Sequence, residues 1–245
     1  MTNQNLIKIE EAWFAEVPRF NAMSGMKRLL DGDFTAAHYA SLLREIYFYA
    51  RESPPFFAAI LIHLRGAQRS YIKKMLQHAS SETGHDELAL ADFRALGINT
   101  DNIPNERPLP ATSAMIGFSF YLIQYLNPVS YLGFVFHLEY LPTHFGQKYV
   151  QGFLQAGVPM DAMSFLLEHN EADVGHNLLM ADYVGNLLLN QRDVDDTIYA
   201  MQVTTVLFAN LVEAAFRRVD EAETKDYGIN HAEFTAQRVR QHGAV

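Results

Sequence analysis

The sequence predicts an all-α protein, on three observations. No stretch alternates apolar and polar residues over strand length. No Asn-Gly or Asp-Gly pair joins two strand-like runs as a hairpin turn would. Long segments instead repeat apolar residues at three- and four-residue spacing.

The elements follow in order. Asp31-Gly32-Asp33-Phe34-Thr35 reads as a stop followed by a start, with Thr35 the N-cap of a helix running to about Arg51. Pro54–Pro55 punctuates, and a second helix reaches about Leu64. A long amphipathic helix is expected from about Gln68 to Leu96, stopped by Gly97. Residues 98–112 hold Pro104, Pro108 and Pro110 and read as the one real loop. Asn127–Pro128 caps and opens a helix to about Ala156, because proline suits a first helical turn. Two more long helices are expected at 160–188 and 194–222. The polar tail, 223–245, reads as frayed. With no repeat or linker to divide it, the 245-residue chain is expected to be a single helical domain with its core in 35–222.

Composition narrows the function. Hydrophobic residues make up 49% of the chain, enough for a sizeable core. A net charge of −9 argues against nucleic acid, whose phosphates demand clustered Lys and Arg. The absence of cysteine rules out disulfides and thiolate nucleophiles and fits a cytoplasmic protein. The N-terminal stretch MTNQNLIKIEEAW lacks the apolar core of a signal peptide. The apolar segment from Ser113 to Leu126 falls short of the ~20 residues of a membrane span. No membrane partner is therefore expected.

Four helices place ionisable groups in stripes that otherwise look buried. Glu82 and His85 stand three apart, the spacing by which helical bundles offer a carboxylate and an imidazole to one metal. His169, Asp173 and His176 share a stripe with Phe165, Leu166, Leu179, Met180 and Tyr183. Buried charge of that kind needs partners. Either a hydrogen-bond network or a metal could supply them, and a metal accounts for all three at once. Glu139 is a carboxylate in the apolar stripe Leu132, Val135, Phe136, Thr143, Gly146, Val150. Glu45 lies in the apolar run Leu42 to Tyr49, where neighbouring Arg44 and Arg51 offer the rival reading of a surface charge. The expected ligand set is therefore Glu45, Glu82, His85, Glu139, His169, Asp173 and His176. Four carboxylates balance two divalent ions, and carboxylate–imidazole ligation without sulfur suits iron or manganese. His78, one turn before Glu82, reads either as a partner orienting that carboxylate or as a core histidine. His137 and His144 lie off the Glu139 stripe and read as structural, and the aromatics from Phe118 to Phe145 mostly as core.

The single Glu82-x-x-His85, the run His169-x3-Asp173-x2-His176 and the phrase Arg44-Glu45-Ile-Tyr-Phe-Tyr-Ala-Arg-Glu-Ser-Pro-Pro resemble the haem-oxygenase-like diiron oxidase and oxygenase family. So do Ser81-Glu82-Thr-Gly-His85-Asp-Glu-Leu and His137-Leu-Glu139-Tyr, over about residues 35–190. The resemblance implies a seven-helix haem-oxygenase-like bundle, a labile cofactor of two Fe(II) per chain and dioxygen as co-substrate. It also implies oxidation of a small amino acid, amine or carboxylic acid, often in natural-product biosynthesis. A homodimer and an external reductant fit it too. Some N-oxygenating members carry an extra carboxylate one heptad before the Glu-x-x-His motif; Met75 stands there in this chain. No catalytic acid or base is expected apart from the metal centre. The alternatives are a cofactorless oxidase of the same fold and a non-catalytic iron-binding protein. Finally, Glu168–Asn177 holds Gly175, two asparagines and a mid-helix aspartate, so residues 168–178 are expected to order only when metal offsets their desolvation.

Overall fold

The computed structural model describes residues 3–223, excluding the side chains of residues 170–176 and 223; the tail from 224 onward lies outside the described residues. Among the described residues there is no strand. The helices are α1 (Gln4–Ala22), α2 (Ser24–Asp31), α3 (Ala36–Ala50), α4 (Ser53–Leu61), α5 (Ile72–Ser81), α6 (His85–Ala95), α7 (Pro110–Tyr121), α8 (Tyr131–Gln155), α9 (Ser164–Leu187) and α10 (Gln191–Glu223). Counting α1–α2, α3–α4 and α5–α6 as broken runs gives seven, as the resemblance implied.

The expected punctuation is visible as hydrogen bonds. The Thr35 N–H donates to His38 Nδ1 at 3.1 Å, so the first turn of α3 caps itself. The Asn127 side chain accepts from Val129 N ahead of α8 and donates to Asp193 and Asp196 at the start of α10. The loop after Gly97 contains a short 3-10 turn, Ile103–Asn105, and Pro110 opens α7.

Two expectations fail. The long helix from 68 to 96 is broken: a 3-10 turn (Gly66–Tyr71) leads into α5, which ends at Ser81, and α6 begins at His85. The break is Gly84, whose φ of +101° favours glycine. The stretch 168–178, whose expectation concerns metal binding, lies within α9, a helix from Ser164 to Leu187. Packing of α9 against α8 and α6 outweighs its poor propensity. The other difference is that an apolar stretch of spanning length does exist, because α10 over Gln191–Ala222 is long and apolar enough to cross a membrane. Half of its most apolar window is buried inside the bundle, which accounts for that composition without a bilayer.

The helices α8 and α10 approach closely in the core, and Gly133 is what allows it. A Cβ there would lie 2.1 Å from the Thr197 carbonyl and 2.7 Å from Met201 N, both backbone atoms of α10. We expect Gly133→Ala to destabilise the fold by about 3 kcal/mol or more, because neither helix can yield locally. A urea midpoint equal to that of the parent would refute this. Beside this contact, Trp13 Nε1 donates to His137 Nδ1 at 3.1 Å. Burial pushes His137 down to about 3, so it stays neutral. His144 Nδ1 donates to the Tyr140 carbonyl at 2.8 Å. Both histidines are structural, as expected.

Candidate metal centre

The carboxylates and imidazoles gather where α5, α6, α8 and α9 face one another. Glu82 is the C-cap of α5 and His85 the first residue of α6, so they meet across the Gly84 break rather than along one helix. His85 Nδ1 lies 3.4 Å from Glu82 Oε2, and Ser53 at the start of α4 donates to the same oxygen at 3.3 Å. On its other side, Glu82 Oε1 lies 3.7 Å from His78 Nε2. The same Nε2 lies 3.8 Å from Oε1 of Glu139, at the middle of α8. One donor atom each from His78, Glu82 and Glu139 falls within 4.8 Å of the others. From α9, His169 approaches His85 with 4.7 Å between ring centroids. Its Nδ1 donates to the Phe165 carbonyl at 2.6 Å, which sets the tautomer and makes Nε2 the unprotonated nitrogen.

The electrostatics agree. Burial raises the Glu82 carboxyl, but the His85 hydrogen bond and the fields of His85, His78 and His169 outweigh it and hold the group at about 2. It is therefore an anion at any physiological pH. The phenols of Tyr49 and Tyr131 are pushed well up, first by burial and then by Glu82, so they stay protonated.

Five of the expected residues, and one more, can be placed. Glu82, His85, Glu139 and His169 line one cavity, and His78 joins Glu82 and Glu139. Asp173 and His176 lie on α9, with side chains outside the described residues. Glu45 does not join the cluster, and its place in the expected set is corrected here. Its α3 neighbours Leu42, Ile46 and Tyr49 line the cavity, but Glu45 itself does not. Its Oε1 accepts from Arg44 at 2.6 Å, and its Oε2 accepts from Leu109 N at 2.9 Å and Thr112 Oγ1 at 2.5 Å. It is fully buried and serves to tie α3 to the start of α7. It is not the surface charge of the rival reading either.

Asp92 is a residue that sequence reasoning did not single out for the site. Wholly buried on α6, it accepts from Ser164 N at 2.8 Å, Ser164 Oγ at 2.5 Å and Phe165 N at 3.0 Å. It thereby caps α9 and fixes the helix that carries His169 to the helix that carries His85. The only signal was an acid inside the apolar stretch Leu88–Phe93.

The cavity beside the cluster is about 130 Å³. Apart from Glu82, His85, Glu139, His169 and Ser53, its walls are aliphatic or aromatic, including Leu42, Ile46, Phe56, Phe134, Leu138 and Phe208. No Lys or Arg lines it among the described residues. The Tyr149 hydroxyl, on the wall beyond Pro142, is buried without a hydrogen-bond partner.

A helical bundle enclosing buried carboxylates and imidazoles beside an apolar cavity defines a class of metal-site proteins. The chain belongs to the iron-containing redox enzyme family, whose model matches residues 40–208. Solved structures share the fold. A domain of unknown function with a heme oxygenase-like fold from Shewanella denitrificans has a TM-score of 0.82 at 23% identity, covering 92% of this chain and 96% of that one. A TenA homolog from Pseudomonas syringae gives 0.72 at 10% identity, covering 88% and 93%. A TenA homologue from P. horikoshii gives 0.69 at 11% identity, covering 87% and 98%. No curated protein matches the chain.

Proposed function

We propose that this chain is a dioxygen-using, non-haem diiron oxidase or oxygenase acting on a small carboxylic acid with an apolar body. Support for iron comes from the donor set: buried His85 and Glu139 and half-buried Glu82 and His169 offer oxygen and imidazole nitrogen and no sulfur, the chemistry that suits iron. With Asp173 and His176 they would hold two ferrous ions, which supply the binding and reduction of dioxygen.

The chain's own residues do the rest. Ser53 orients Glu82, and Phe165 orients His169. The aromatic walls exclude water. The observation that carries the substrate class is the lining itself. With no Lys or Arg on the walls among the described residues, an acid headgroup has only the metal cluster to bind. The remaining space suits hydrocarbon, and the volume resembles the roughly 150 Å³ apolar cavity that holds benzene. A short chain or a single ring fits, and a polar atom on its far end would meet the Tyr149 hydroxyl. An amino acid fits less well, since no wall residue outside the cluster would hold its ammonium group.

The test is anaerobic loading with ferrous iron followed by admission of dioxygen in the presence of short monocarboxylates or the matching amino acids. About two irons per chain are expected, with dioxygen uptake stimulated most by the monocarboxylates. No bound iron would favour a cofactorless oxidase of this fold. Iron without uptake would favour a non-catalytic iron-binding protein. Stronger stimulation by amino acids would overturn the substrate class.

A further inference from the structure

Two tyrosines in the cavity wall use their hydroxyls differently. Tyr39 donates to the Ala162 carbonyl at 2.7 Å, so its hydroxyl is spent on the fold. The Tyr149 hydroxyl is enclosed and has no hydrogen-bond partner among the described residues. An enclosed donor left unpaired weakens a fold, and phenylalanine would fill the same space without it. Burial holds the Tyr149 phenol well above its ordinary range, so it stays protonated and can donate. Position adds a second observation. Tyr149 stands ten residues beyond Glu139 on α8, about 15 Å along the helix axis, and a helical tyrosine leans back toward the N-terminus of its helix. It therefore closes the end of the cavity remote from the carboxylates. Its neighbours there are Phe153, one turn further on, Tyr39, whose ring lies 4.5 Å from that of Phe153, and Leu29. No charged side chain lines that end among the described residues.

We infer that Tyr149 determines the specificity of the cavity, its hydroxyl donating to a neutral oxygen at the end of the substrate remote from the carboxylate. This rests on the carboxylic-acid reading above and deepens it. A charged far end is disfavoured by the walls, because a second carboxylate or an ammonium would be desolvated there with no opposite charge beside it. A wholly apolar far end would leave the Tyr149 donor unpaired, and a site built to bond a polar group discriminates against the analogue that lacks it. A hydroxyl or a ketone carbonyl satisfies both the walls and the phenol. The substrate class is thus an acid with an oxygen function at each end and hydrocarbon between them: a hydroxy or keto acid rather than a simple alkanoic one.

Calorimetric binding to the full-length chain, loaded with ferrous iron and kept anaerobic, is the test. The probes are benzoate beside para-hydroxybenzoate, and the straight-chain acids from butanoate to octanoate beside their terminal hydroxy and methyl-ketone counterparts. The wild type is expected to bind at least one oxygenated acid about tenfold or more tighter than its unsubstituted partner. Tyr149→Phe should bring that ratio to about one. In metal-free protein the same variant should melt no lower than the wild type, since it deletes a hydroxyl that the fold does not use. A wild type with no preference for any oxygenated acid, or a preference that survives in Tyr149→Phe, would overturn the inference and leave the carboxylic-acid reading standing. A clearly lower melting temperature in the variant would do the same, by making the hydroxyl structural. A wild type that binds none of these acids would overturn both.

Discussion

Replacing Glu45 with alanine is expected to destabilise the fold by about 3–5 kcal/mol and to leave metal stoichiometry unchanged. The carboxylate is fully buried, and both its oxygens are occupied by Arg44, Leu109 N and Thr112 Oγ1. Without it, Arg44 retains Glu106 and the Arg107 carbonyl, but the Leu109 N–H at the head of α7 loses its acceptor. A largely buried guanidinium that loses one of its two carboxylates, together with an orphaned amide and a hydroxyl deprived of its acceptor, places the change in the severe class. Urea denaturation read alongside a ferrous titration checks both halves. Loss of iron at undiminished stability would return Glu45 to the ligand set.

Glu139→Ala should show the reverse pattern. Its carboxylate sits in an apolar stretch of α8, close enough to His78 and Glu82 to share an ion with them. The substitution should lower dioxygen uptake by more than about 100-fold, since even orienting partners of metal ligands are worth 10–100-fold. It should also remove one metal per chain. In metal-free protein the same change deletes a charge that had to be desolvated, so the variant should melt no lower than the metal-free parent. Full uptake, or a large drop in metal-free melting temperature, would mean that Glu139 serves the fold rather than the centre.

The opposite expectations for these two residues show what a sequence can reveal. Both are lone carboxylates in apolar helical runs. Glu139 was legible because its stripe is apolar and Lys148 lies on the other side of the helix. Glu45 was misread because its partners, Leu109 and Thr112, come from more than sixty residues away, and because adjacent helix positions do not normally face each other. Arg44 nevertheless curls back onto it. His78 was ambiguous for a related reason: spacing puts it one turn before Glu82, but only the fold of α8 brings Glu139 to its other side. The overall fold class was the most legible part, since helical periodicity is a local signal repeated along the chain. The break in the 68–96 run was missed although Thr83-Gly84 was in plain view, because a single glycine is tolerated inside many helices.

That break has a mechanical meaning. On an unbroken helix, the distance from Glu82 to His85 would be dictated by helical pitch, and altering it would mean stretching backbone hydrogen bonds. In this chain the two donors stand on separate rods joined through one glycine torsion, and a Cβ at Gly84 would meet nothing within 4 Å. The joint is held by dihedral preference and not by crowding, so it can swivel. Metal–ligand bonds lengthen and shorten as electrons are gained and given up. For a metal held between the pair, as proposed above, a swivel at this one peptide would absorb that breathing, and the surrounding rods need not bend.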